Sequence, residues 1–161
     1  DYARPGETRL SPIPVARLIE KEAASFRDPA QIRISVRVPA DVKVLGDETE
    51  LARVFLNLFE NARRYGRGTY TGVAEVLVSH VRAGAWVILT VRDQGPGVAP
   101  EKLHQLTTPF FRGDAARTAA TGAGLGLAIV EKALLRMGGS LELNNAPDGG
   151  LMAHVRLKRA A

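Results

Sequence analysis

The sequence predicts an α+β domain in two layers, a mixed sheet packed against three helices, with one long segment left over as a lid. Three observations predict this. Apolar residues recur at three-to-four spacing in three separate runs, the period of a helix with one buried stripe. Between and after them lie short runs of the kind that form half-buried strands. The stretch from Asp93 to Gly122 follows neither period, is rich in glycine, alanine, threonine and proline, and is too long for a simple turn.

Asp1 to Pro14 holds three prolines and no clear period, so it reads as a connector (residues 1–9) with one edge strand around Thr8 to Ser11. Val15 to Phe26 places Val15, Leu18, Ile19, Ala23 and Phe26 on one helical stripe. Gln31 to Val38 alternates Ile32, Ile34, Val36 and Val38 against polar neighbours, a strand. A short apolar piece, Val42 to Leu45, ends at Gly46-Asp47. Asp47 is placed to cap the next helix, and Glu50 three residues on completes a capping-box-like pattern. That helix, about Asp47 to Tyr65, turns Leu51, Val54, Phe55, Leu58 and Ala62 inward. Val73 to Arg82 and Trp86 to Asp93 form a hairpin turned at Ala83-Gly84, whose second strand delivers Asp93 at its end. Leu125 to Met137 is an apolar helical run closed by Gly138-Gly139. Ser140 to Asn144 and Leu151 to Leu157 make a final strand pair around Pro147-Asp148-Gly149-Gly150. Trp86 and Met137 are expected in the core.

With 161 residues, 45% hydrophobic and 24% charged, the chain suits one globular domain that buries its own core, expected over residues 10–161. It has no cysteine, which excludes a disulfide framework and thiolate metal sites. No apolar run approaches the roughly 20 residues of a membrane span, and the first residues carry no signal-peptide pattern. This piece is therefore predicted to be soluble, whether or not it is cut from a longer membrane protein. The formal charge is +5, yet the 22 basic residues are dispersed. They read as a solvated surface rather than a nucleic-acid footprint, and direct nucleic-acid binding is not expected. A modest positive field also favours anionic ligands and acidic partner proteins.

Three boxes carry the chemistry. On a helix, Asn57, Asn61 and Arg64 fall at i, i+4 and i+7 and share one face. An asparagine carbonyl is an oxygen ligand of the kind Mg²⁺ takes, and it adds no negative charge beside a triphosphate. Asparagines also sit on helices for solubility or local hydrogen bonds, so this box alone decides little. Asp93 precedes Gly95 and Gly97 and by itself would pass for a turn residue. A carboxylate there can instead accept a hydrogen bond from the exocyclic amine of adenine, an atom that guanine replaces by an acceptor. The two glycines would let backbone approach the ring. Gly122, Gly124 and Gly126, followed by Leu125 and Leu127 in Gly-x-Gly-Leu-Gly-Leu, read either as a flexible loop before a buried helix or as a phosphate cradle at a helix N-terminus. The Gly-Lys-Ser/Thr ending of a P-loop is absent, and no strand precedes the box as a dinucleotide fingerprint requires. Within the candidate lid, Phe110, Phe111 and Arg112 supply aromatic bulk and a cation able to reach a phosphate. His80, His104 and His154 lack an acidic neighbour followed by an apolar helical run, and read as structural or surface groups.

In this order and spacing the boxes resemble the catalytic ATP-binding domain of a sensor histidine kinase, over about Leu10 to Leu157. Asn61-Ala62-Arg63-Arg64-Tyr65-Gly66, Pro109-Phe110 with Arg112-Gly113-Asp114, and Gly124-Leu125-Gly126-Leu127-Ala128-Ile129-Val130 are especially similar to EnvZ-type osmosensor kinases. Asp1-Tyr2-Ala3-Arg4 resembles the last turn of the helix hairpin that precedes this domain in that family. The resemblance implies a Bergerat (GHKL) α/β sandwich with an ATP lid. It implies Asn61 on Mg²⁺, Asn57, Arg64 and Tyr65 near the phosphates, Asp93 on adenine, and Gly95, Gly97, Phe110, Phe111, Arg112, Gly122, Gly124, Leu125, Gly126 and Leu127 completing pocket and lid. Asn57, Arg64 and Arg112 would then flank the transferred phosphoryl group. Ala123 departs from the threonine common in these kinases and removes a hydroxyl near the phosphates.

In gyrase-type ATPases of the same fold, the position matching Asn57 resembles a glutamate that activates water. An amide cannot act as a general base, which favours transfer to a protein side chain. The family implies ATP and Mg²⁺ as cofactors. Its acceptor histidine belongs to the hairpin, absent here, with relay onward to a response regulator. It implies a monomeric fragment of a homodimeric kinase in the bacterial inner membrane, with this domain in the cytoplasm. An anti-sigma-type serine kinase and a non-catalytic nucleotide-sensing module of the same fold are the alternatives.

Overall fold

The computed structural model describes residues 9–106 and 118–160, with the backbone alone at 104 and 118–125. The elements run β1 Ser11–Pro14, α1 Val15–Ala24, β2 Ile32–Val36, β3 Lys43–Gly46, α2 Glu48–Tyr65, β4 Ala74–Ala83, β5 Trp86–Arg92, a 3-10 turn Pro100–Gln105, α3 Thr118–Arg136, β6 Ser140–Asn145 and β7 Leu151–Lys158. Five strands form one mixed sheet in the order β2-β4-β5-β7-β6, with β2 parallel to β4 and the other pairs antiparallel. The small sheet β1-β3 stands apart, touching the main one by a single bridge from Val44 to Arg159.

Period-2 alternation decides which sheet face is covered. Val76 and Val78, Val87, Leu89 and Val91, and Ala153, Val155 and Leu157 all point inward and are buried. They meet Leu51, Val54, Phe55, Leu58 and Phe59 of α2 and Val130, Leu134 and Met137 of the α3 segment in one continuous core. Phe55 and Phe59 are fully buried, and Phe26 meets Phe59 edge-on with ring centroids 5.9 Å apart. Burying each such ring contributes about 1.5–3 kcal/mol.

Local chemistry starts α2 where the sequence predicts. The Asp47 carboxylate accepts a hydrogen bond from the Glu50 amide at 3.1 Å, satisfying one of the first-turn donors. Glu48 and Glu50 lie in the first turn and Arg63 and Arg64 in the last, so charge complements the helix dipole at both ends. The helix runs on to Tyr65, and Gly66 just after it lies against Asp93 at the end of β5.

Three expectations change. The first strand is Ser11–Pro14 rather than Thr8 to Ser11; Thr8 lies outside the described residues. Pro12 and Pro14 lack an N–H, which suits a two-stranded edge pair in which alternate donors face away. The third helix begins at Thr118, seven residues before the expected start at Leu125, so Gly122, Gly124 and Gly126 lie inside it. Alanines at 119, 120 and 123 are strong helix formers, and a glycine costs a helix only about 1 kcal/mol. Met137 is a core residue as expected, but Trp86 is not. Its register opposite Ala83 and Lys158 turns it to the helix-free face, where the Arg156 guanidinium lies 3.5 Å from its ring centroid.

Candidate functional site

The C-terminal half of α2 forms one wall. Asn57 and Asn61 are half-buried on it and Arg64 is exposed, its guanidinium 5.8 Å from the ring centroid of Tyr65. The Asn61 Oδ1 is buried with no hydrogen-bond partner among the described residues. Leaving such an oxygen unpaired costs about 1–3 kcal/mol, so its chemistry asks for a donor or a cation. A hard cation that takes oxygen ligands and completes its shell with water and phosphate fits this atom. No cluster of three or more His, Asp or Glu gathers among the described residues to hold a metal by protein groups alone.

Glu60 lies between the two asparagines in sequence but is already engaged. Arg63 donates to both its oxygens, at 2.9 and 2.5 Å, and to Gln31 at 3.0 Å. The hydrogen bond from Arg63 holds the Glu60 carboxyl below the ordinary carboxylate value, working against partial burial. A carboxylate fixed in its ionised, doubly bonded form is poorly poised to take a proton from water.

Asp93 forms the floor. It is 6% exposed, and no other polar or charged side chain among the described residues is classed as buried. Its Oδ1 accepts hydrogen bonds from the Gly95 amide at 2.9 Å and the Leu151 amide at 3.1 Å, while its own amide donates to the Leu151 carbonyl at 3.1 Å. Burial raises the Asp93 carboxyl above its ordinary value. The Gly95 and Leu151 bonds and nearby Arg92 pull it partly back. A buried, amide-bonded carboxylate at a strand end is a group the fold accommodates at a cost, which marks it as a candidate site.

Gly66, directly after α2, closes the floor against this wall. A Cβ at Gly66 would stand 2.5 Å from the Asp93 carboxyl carbon, and one at Gly95 would stand 2.6 Å from the Gly66 backbone. Only two glycines face to face let helix end and loop come so close. The structure thus brings together Asp93, Gly95, Gly97 and the end of α2. Gly66 was not among the predicted site residues, because a glycine after a helix already has an explanation as a helix stop. Asn145, Gly150 and Leu151, from the β6–β7 turn, were missed as well. Asn145 meets the loop 47 residues away in sequence, and nothing local signals it.

Of the other predicted residues, Gly122, Gly124 and Leu125 have their backbone in α3, and Gly126 follows on the same helix with no atom of the described residues within 4 Å of where a Cβ would stand. Leu127 is 1% exposed and belongs to the core rather than to an open mouth. Phe110, Phe111 and Arg112 lie outside the described residues. His154 is part-buried on β7, its Nδ1 2.8 Å from the Thr90 Oγ1, and His80 is half-buried on β4.

A helix that bears two asparagines and ends against a strand-end carboxylate, packed beside a glycine-bearing helix on a five-stranded mixed sheet, is the architecture of an ATP-binding domain of the histidine-kinase type. The chain belongs to the histidine kinase-, DNA gyrase B- and HSP90-like ATPase family, whose model matches residues 46–161. It is 39% identical over 125 residues to the sensor-like histidine kinase SenX3 of Mycobacterium tuberculosis, covering 76% of this chain and 29% of that protein. The mycobacterial sensor histidine kinase MprB superposes with a TM-score of 0.76 at 30% identity, covering 92% of this chain and 98% of that structure. Full-length ShkA in complex with AMPPNP superposes at 0.75 with 27% identity, over 96% of this chain and 32% of that one. The chain spans less than a third of the length of the curated relatives it matches. No helix among the described residues is long and apolar enough to cross a membrane.

Proposed function

We propose that this domain binds Mg²⁺-ATP and passes the γ-phosphoryl group to a histidine on a helix hairpin of the same kinase, for relay to a response-regulator aspartate. The observation that carries the reading is the buried Asp93. Both of its amide bonds fall on Oδ1, which leaves Oδ2 to accept the exocyclic amine of adenine. Gly66 and Gly95 keep the adjacent backbone flat enough for a ring. Asn61 would hold Mg²⁺ through its Oδ1, which has no partner among the described residues, and Asn57, Arg64 and Tyr65 would line the phosphate side. Gly97, Gly122, Gly124, Leu125 and Gly126, with Phe110, Phe111 and Arg112, would complete the enclosure, while Leu127 packs in the core beneath it.

Bound Mg²⁺ would neutralise charge on the phosphate oxygens. The chain's own part is positioning. Asp93 fixes the base, the α2 face orients the triphosphate along its length, and Arg64 and Arg112 balance the charge that shifts onto the leaving oxygens. Asn57 is an amide, and Glu60 is tied to Arg63, so this stretch of α2 offers no free carboxylate to activate water. That favours a protein acceptor over hydrolysis.

Residues 1–9 are then the connector from the hairpin. The whole kinase is a homodimer in the bacterial inner membrane with this domain on the cytoplasmic side, and the isolated domain is a monomer. The test mixes the domain with the isolated hairpin and Mg²⁺-ATP and assays acid-labile, base-stable phosphohistidine. Phosphate on the hairpin histidine is expected. ATP binding without any transfer would instead support a nucleotide-sensing module.

A further inference from the structure

The tip of the β6–β7 hairpin, residues 145–151, reaches the candidate adenine site from outside it and touches the Asp93 loop at both ends, at Arg92 and Asp93 and at Gly97 and Val98. The Asn145 side chain makes two hydrogen bonds to a single residue of that loop. Its Oδ1 accepts from the Val98 amide at 2.9 Å, and its Nδ2 donates to the Val98 carbonyl at 2.6 Å. Residue 97, just before, is held with φ +76, and a Cβ there would approach the Asn145 Oδ1 to 2.7 Å. Gly150, at φ +96, lies so close beneath Asp93 that a Cβ would collide with the Asp93 carbonyl. Leu151 then exchanges two hydrogen bonds with Asp93, one with its backbone and one with its carboxylate. Arg92, next to Asp93, pairs with Asp148 in the same turn. The tip closes on itself through Ala146 and Gly150, whose amide-to-carbonyl bond is 2.8 Å.

We infer that this hairpin tip sets the ATP-over-GTP preference of the site without touching nucleotide, and that Asn145 is its main positioning residue. The inference rests on the reading of Asp93 as the adenine acceptor. The physical reasoning is one of geometry. A carboxylate selects an amine over a carbonyl only when its free oxygen is held within a few tenths of an ångström of the bond it must make. Asp93 sits at the end of β5, followed by glycines at 95 and 97 that cannot hold a loop by themselves. A side-chain amide matched to both the donor and the acceptor of one residue supplies that rigidity, as a backbone ladder would. Asn145 ends β6, a regular strand of the main sheet, so the clamp is anchored in the core.

The test titrates the wild-type domain, Asn145→Ala and Asn145→Ser with ATP and with GTP, and follows hydrogen exchange at the Val98 amide. Loss of two hydrogen bonds of ordinary net strength is expected to lower ATP affinity about tenfold in Asn145→Ala. GTP affinity should change far less, so the preference shrinks by nearly the same factor. Asn145→Ser, whose hydroxyl can keep one of the two bonds, should fall between, and it remains informative where the alanine variant does not fold. Val98 exchange should quicken in the same order. A merely structural role would lower both nucleotides together with the melting temperature. The inference is overturned if Val98 exchange quickens while the ATP-to-GTP ratio stays at its wild-type value. A wild-type domain with no preference for ATP would instead overturn the reading of Asp93, whatever Asn145 does.

Discussion

At the Asp93 end of the site the glycines are already in contact with the groups they serve. A Cβ at Gly66 would stand 2.5 Å from the Asp93 carboxyl, and one at Gly95 would press on the Gly66 backbone at 2.6 Å. Around Gly126 on α3, by contrast, a Cβ would meet no atom of the described residues within 4 Å. The same contrast holds for polar atoms. Asp93 Oδ1 is doubly bonded, whereas Asn61 Oδ1 is buried without a partner among the described residues. On the proposed reading, the base side is assembled by the fold itself, while the phosphate side leaves the Asn61 oxygen for a ligand. A preorganised base pocket spares the ligand the ordering cost there, while the phosphate side can be completed by the metal and lid only when the correct nucleotide is in place.

That contrast can be broken most sharply at Gly66. Gly66→Ala forces a methyl group onto the Asp93 carboxyl and is expected to cost about 1–3 kcal/mol of stability, as overpacked sites do. ATP binding should fall below detection by calorimetry, and a variant with near wild-type affinity would show that the two backbones separate freely.

Asp93→Asn comes next. It should lower ATP affinity by roughly ten- to a hundredfold, the range of one charge-assisted hydrogen bond, with little effect on GTP. Stability should move the other way. Because burial raises the native Asp93 carboxyl above its ordinary 3.8, the folded state binds its proton to higher pH than the unfolded chain does. Its contribution to stability is complete below that ordinary value and is lost as pH rises through the raised native one. Denaturant titrations across this window should show wild type losing stability relative to Asp93→Asn as pH increases, and the opposite slope would refute the assigned direction.

On the phosphate side, Asn61→Ala should reduce the Mg²⁺-dependent gain in ATP affinity about tenfold while leaving metal-free binding and the ATP-to-GTP ratio nearly intact. Equal loss with and without Mg²⁺ would remove Asn61 from the metal. The smallest effect is expected at Gly126→Ala. With no atom of the described residues within 4 Å of its Cβ position, the variant should gain up to about 1 kcal/mol in helix stability and, if the glycine faces the phosphates as proposed, lose a few-fold in ATP affinity. A melting temperature below wild type would show that the position is crowded after all.

The strands and α2 were legible in the sequence because each rests on a local signal. The alternation of Val87, Leu89 and Val91 names the buried face of β5, and Asp47 with Glu50 names the first turn of α2. Asp93, Gly95 and the two asparagines were legible as residue types whose chemistry suits a nucleotide. The start of α3 was not, because glycine spacing says nothing about whether the chain continues as helix through it. Trp86 was misassigned since size predicts burial, but only register decides which sheet face a residue takes. Asn145, Gly150 and Gly66 escaped for one shared reason. Their partners lie across the fold, and a turn glycine or a strand-end asparagine already has an ordinary local explanation.

The most direct test of the central claim, that a buried Asp93 selects adenine while Asn61 awaits Mg²⁺, is a calorimetric titration of the domain with ATP and GTP, each with and without Mg²⁺. The expected result is binding of ATP in clear preference to GTP, tightened by Mg²⁺. Equal affinity for the two nucleotides, or ATP binding indifferent to Mg²⁺, would contradict it.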